Sequence, residues 1–166
     1  MRLVGKLLRL VRKREIVLLI ILLAFFPVVV GKRDLRNFMA VSLYFNYPTL
    51  IINNIFLVIL YKKMQVLNRM QYMLITRVGL KRSKLAVHGF VSLATFVLMM
   101  VLYGLLMLLY GTQEITAHLV MLFLIESVLY FLEANIIALQ FHRQKQVSFV
   151  IIAIIINLGF HYIFVL

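Results

Sequence analysis

Apolar stretches at residues 16–30, 38–61, 85–110, 115–141 and 147–166 take up most of this 166-residue chain and dictate what it can fold into. A helix needs about 20 apolar residues, at about 1.5 Å of rise each, to cross a hydrocarbon layer of about 30 Å. These stretches approach or exceed that length. With 64% hydrophobic residues, only 14% charged ones and a mean hydropathy of +1.05, the chain lacks the polar surface to cover a soluble globule. The expected fold class is an all-α polytopic membrane protein, a single transmembrane domain over residues 1–166 with about five spanning helices. The first stretch is short, so it must recruit its flanks or sit in a thinned bilayer. In the second, Pro48 removes a backbone donor and disfavours helix at Tyr47, which predicts a break and a separate interfacial piece over 38–46.

Charge placement predicts the orientation. Of the 18 Lys and Arg, only Lys32, Arg33 and Arg36 follow the first stretch; the rest lie in the head before Ile16, in the 62–84 segment and in the link holding Arg143 and Lys145. Short cytoplasmic segments carry the excess of Lys and Arg, so the N-terminus is expected inside and the C-terminus outside. The formal net charge of +13 then reports topology and affinity for anionic lipid, rather than nucleic-acid binding. Phe25 to Val30 offers no small-residue cleavage site, so the first span is expected to be retained.

Two segments are amphipathic. In the head, residues 1–14, Leu3, Val4, Leu7, Leu8 and Val11 recur at helical steps with Arg2, Lys6, Arg9 and Lys13 opposite them, the pattern of an interfacial helix on an anionic leaflet. In the 62–84 loop, Val66, Met70, Met73, Leu74 and Val78 recur at helical steps, which predicts a short cytoplasmic helix over 65–78 ended by Gly79. A solvated connector that only enforces topology would carry the same cations.

The run YMLITRVGLKRSK, residues 72–84, resembles the cytoplasmic segment between the second and third spans of small membrane subunits of Gram-positive ABC exporters of the type-2 class. The order of parts is also similar: an amphipathic N-terminal helix, two spans, a coupling helix, then further spans. The resemblance implies a permease subunit that couples a separate ATPase to export of a peptide, lipid or other hydrophobic compound, working with a second membrane subunit or as a homo-oligomer. Under it, the coupling helix would seat Met70, Tyr72 and Met73 in a cleft of the ATPase, with Arg69 and Arg77 pairing at the rim. The chain carries no phosphate-binding loop of its own, so ATP hydrolysis would belong to the partner. The alternative is a stand-alone bacteriocin-immunity protein or an accessory subunit that stabilises a larger complex.

The spans hold a few polar residues. Glu126 and Glu133 stand seven residues apart, two turns on one helical face, whereas Asn135 points elsewhere. An ionisable group at mid-membrane must face protein or a watery cavity. These carboxyls belong either to a substrate or proton path or to interhelical hydrogen bonds with Asn46, Asn53, Asn54, Tyr103 or His88. Asn53 and Asn54 project about 100° apart and should address two neighbouring helices. Without cysteine, disulfides and thiol chemistry are excluded. His88, His118, His142 and His161 lack metal-site spacing and no nucleophile elbow occurs, so no enzymatic activity, cofactor or metal is expected.

Overall fold

A computed structural model of the chain describes residue 7 and residues 13–30, 47–110, 117–142 and 147–164. Among them the protein is all helical. α1 runs Lys13–Val30; a wide π-type turn, Tyr47–Ile52, leads into α2, Asn53–Arg69. Then come α3, Gln71–Val78, α4, Leu80–Tyr110, and α5, Ala117–Ala138, which tightens into a 3-10 turn at Leu139–His142 before α6, Ser148–Phe164. Three helical stretches, Leu50–Arg69, Leu80–Gly104 and Phe123–Phe141, are long and apolar enough to cross a membrane, and Ser148–Ile163 is a shorter apolar helix. The interfacial helix over 1–14 and the piece over 38–46 lie outside the described residues, apart from Leu7, Lys13 and Arg14.

The 62–84 segment departs from its expected form as a loop. α2 continues eight residues past Tyr61, α4 begins at Leu80 instead of Leu85, and the single helix expected over 65–78 is divided at Met70. At Met70 the backbone turns out of helix (φ −97°, ψ 6°), and its N–H bonds the carbonyls of Val66 and Leu67. The division follows from burial. Met64 and Leu67 are fully buried, and Met70 and Leu74 pack partly against the same core, which a straight continuation of α2 would carry them past. Gly79 ends α3 with φ at +85°, a conformation open to glycine alone at low cost, and Ser83 N–H and Oγ both bond the Gly79 carbonyl to start α4.

α5 is the central helix, packed against α2, α4 and α6. Buried and half-buried polar pairs report the helix directions. Tyr103 meets Glu126 and His88 meets Asn135, so α4 and α5 are antiparallel. Asn53 meets Glu133 and Asn68 meets Gln140, so α2 and α5 run the same way. Glu15 pairs with Lys63, and Leu23 and Phe56 share a groove farther along, so α1 runs against α2. One end of the bundle therefore gathers the exposed cations Lys13, Arg14, Lys62, Arg69, Arg77, Lys81, Arg82 and Lys84.

The bundle is apolar outside and partly polar inside. Phe96, Met100, Leu124, Val128 and Ile155 are exposed, while Asn53, Thr95, Glu126, Glu133 and Gln140 are buried. A soluble bundle has the reverse distribution; lipid around the helices removes the cost of the exposed side chains and raises that of any polar group placed among them.

Candidate functional site

One face of α5, continued into the 3-10 turn, carries two of the sequence's intramembrane candidates, Glu126 and Glu133, while Asn53 and Asn54 stand at the start of α2. Glu126, Tyr130, Glu133, Ile137 and Gln140 follow at alternating steps of four and three, the spacing that stacks side chains on one side of a helix, and all five are buried. From Glu126 to Gln140 the stripe rises about 21 Å, against about 30 Å for a hydrocarbon core.

Each carboxyl on the stripe accepts one hydrogen bond from a neighbouring helix. Tyr103 OH of α4 donates to Glu126 Oε2 at 2.6 Å, and its ring stands edge-on to Phe123, centroids 4.9 Å apart at 85°. Asn53 Nδ2 of α2 donates to Glu133 Oε2 at 2.8 Å. Farther along, Asn68 Nδ2 donates to the backbone carbonyl of Gln140 at 2.9 Å. Six buried polar atoms around the stripe, Asn53 Oδ1, Asn68 Oδ1, Tyr130 OH, Glu133 Oε1 and both amide atoms of Gln140, have no partner among the described residues. Buried polar atoms are normally paired, because leaving one unpaired costs about 1–3 kcal/mol. Four of these six atoms are acceptors, Gln140 Nε2 is a donor and Tyr130 OH can act as either, all held inside the bundle.

Asn135 lies off the stripe, as its angular offset from Glu133 requires; its Oδ1 is 2.7 Å from His88 Nδ1, which donates as an N–H. Asn54 and Asn53 address different neighbours, Asn54 Oδ1 accepting from Asn157 Nδ2 of α6 at 3.0 Å.

The other candidates form a separate surface at the basic end. α3 buries none of its residues; Tyr72 is 80% exposed and Met73 52%, with Arg77 exposed beside them. Met70, expected among the exposed anchors, instead sits half-buried at the break and packs on the core. Arg69, expected at the rim of a partner, ends α2 and lines a cavity with Asn68 and Gln140. Tyr72, Met73 and Arg77 are thus not brought into one site with the stripe, whereas Arg69 lines a cavity with its last member, Gln140.

Sequence reasoning missed Tyr130, Gln140 and the Glu15–Lys63 pair. Tyr130 stands one turn after Glu126, between the two carboxyls, and Gln140 follows Glu133 by the same seven residues that separate the carboxyls, so helical spacing could have found both. Lys63 reads as one cation of a basic loop, yet its side chain is 6% exposed and its Nζ lies 2.5 Å from Glu15 Oε1. That pair closes one end of an apolar cavity of about 350 Å³ between α1, α2 and α4, walled by Leu19, Leu23, Phe56, Phe90 and Leu98.

Helices long and apolar enough to cross a membrane, arranged around a buried polar stripe with cations at one end, define a class: an all-helical bundle suited to lipid. Compared with known proteins, the chain matches no family model, no curated protein and no solved structure.

Proposed function

We propose that this chain is the membrane-spanning subunit of an ATP-driven exporter, in which a separate ATPase moves the spans through α3. The observation that carries this reading is α3 itself, a two-turn helix between two apolar helices that buries none of its residues and presents Tyr72, Met73 and Arg77 at the basic end. An exposed aromatic and a methionine on a short, well-defined helix supply the anchors an interface centre needs, and an arginine supplies the rim. α3 joins α2 through Met70 and α4 through Gly79, so a push on it acts on both.

In this reading the chain has five spans, with α1 and α6 crossing beside the three long helices, the basic end in the cytoplasm and the C-terminus outside. The cavity between α1, α2 and α4 would admit part of a hydrophobic substrate, a lipid or an apolar peptide segment, and a second membrane subunit or a second copy would complete the pathway. A second reading, a stand-alone immunity or accessory protein, is favoured by one feature: both interior carboxyls already accept hydrogen bonds from within the bundle, as a stabilising scaffold requires.

Purification of the tagged chain from its native host in mild detergent, with mass spectrometry of what accompanies it, separates the two. The exporter reading expects an ATPase that is lost when Tyr72→Ala, Met73→Ala and Arg77→Glu are combined. A chain that emerges alone, or with only copies of itself, overturns it in favour of the second reading.

A further inference from the structure

α1 is fastened to the bundle at two places. Its first turn is tied to α2 by the Glu15–Lys63 ion pair, and its backbone packs closely on the π-type turn that leads into α2. Between these ties lies the apolar cavity of about 350 Å³ walled by α1, α2 and α4. Of the α1 side chains described, Leu23 alone is buried. Among the described residues the rim of the cavity is exposed and apolar, made by Ile16 and Ile20 of α1 and Val97 and Val101 of α4, with Phe56 and Phe90 buried behind it. In a membrane such a mouth opens to hydrocarbon.

Size selects the guest. An apolar cavity of about 150 Å³ holds one benzene, so about 350 Å³ holds a chain of about 14 carbons. A stretch of helix about 12 Å long, the rise from Glu15 to Leu23, with a diameter of about 10–12 Å, needs about 1,000 Å³. An acyl chain fits where a peptide helix does not. Charge sets which way the lipid lies. The Glu15–Lys63 pair closes the cavity at the basic end, and Lys13, Arg14 and Lys62, its neighbours in sequence, are exposed there. An anionic headgroup complements these cations. Lipid tails are as apolar as the cavity wall, so transfer from the bilayer contributes little. The chain is held by contact with wall atoms that otherwise face a void, and the headgroup by its charge.

We propose that this cavity seats one acyl chain of an anionic phospholipid, its phosphate among Lys13, Arg14 and Lys62 and its tail directed toward Leu23 and Val101. The site rests on the proposed role of the cavity as a hydrophobic seat, takes a lipid chain in place of a peptide segment, and needs no ATPase.

The test uses the full chain in nanodiscs of phosphatidylcholine doped with phosphatidylglycerol, with the lipid retained on release read by native mass spectrometry. Phosphatidylglycerol should be retained in preference. Retention should fall about tenfold in Ala94→Phe, which puts a ring into the cavity, and stay at the parent level in Val128→Phe, an exposed position on α5. Lys13→Gln, Arg14→Gln and Lys62→Gln combined should abolish the preference for phosphatidylglycerol. Retention unchanged by Ala94→Phe, or lowered equally by Val128→Phe, overturns the site, as does a preference that survives loss of the three cations. A parent chain that retains no lipid overturns it too, and leaves the cavity to a peptide segment or a second copy. Val97→Phe, at the exposed rim, narrows the mouth and tests the same point if Ala94→Phe does not fold. Because the chain is assayed alone, loss of lipid retention and loss of ATPase co-purification are separate results.

Discussion

Asn53 and Glu133, 80 residues apart in sequence, meet through a 2.8 Å hydrogen bond with both side chains buried, and this contact fastens α2 to the central helix. Asn53→Ala leaves the carboxyl without its donor and should lower stability by about 1–2 kcal/mol, within the range for interhelical hydrogen bonds in membranes. Combining Asn53→Leu with Glu133→Leu removes both partners and should recover much of the loss. A double-mutant cycle on unfolding in mixed micelles measures the coupling; a value near zero would show that the contact contributes nothing net.

Tyr103→Phe keeps the edge-on contact with Phe123 and removes only the donor to Glu126. A loss of about 1 kcal/mol is expected, and it should vanish in a Glu126→Leu background, where no acceptor remains to be satisfied. Equal losses in both backgrounds would point to ring packing instead.

In the Glu15–Lys63 pair the Glu15 side chain is 19% exposed, yet Lys63 is buried. Glu15→Gln should destabilise by about 3 kcal/mol, because it strands a cation, whereas the exchange Glu15→Lys with Lys63→Glu should restore most of it. Thermal unfolding of the purified variants distinguishes this from a surface pair, for which every variant would lie within about 0.5 kcal/mol of the parent.

No atom lies within 4 Å of a Cβ built at Gly79, so Gly79→Ala tests backbone strain alone. At φ +85° the cost should be about 1–3 kcal/mol. Under the exporter reading the same change re-aims α3 and reduces ATPase co-purification; a variant as stable as the parent would mean that the turn relaxes freely.

Orientation is open to direct test because the chain has no cysteine. Arg82→Cys and Gln144→Cys should react with an impermeant maleimide only after cells are opened, and Thr112→Cys should react in intact cells. Labelling of Arg82→Cys in intact cells would invert the proposed topology.

The sequence by itself determined the class of the protein and much of its interior. Apolar runs near bilayer length, a basic side and a break near Pro48 are local properties of composition and spacing, and the angular arithmetic of a helix was enough to put Glu126 and Glu133 on one face and to send Asn53 and Asn54 to different neighbours. Only the tertiary structure decided where α2 stops, since the break at Met70 comes from the pull of a core that Leu67, Met70 and Leu74 share with other helices. It also decided the partners: whether Lys63 is a loop cation or a buried one depends on Glu15, 48 residues away, and Asn68 reaches the backbone carbonyl of Gln140 while the side-chain amide of Gln140 is left without a partner. Periodicity records which way a side chain points, but not what lies opposite it.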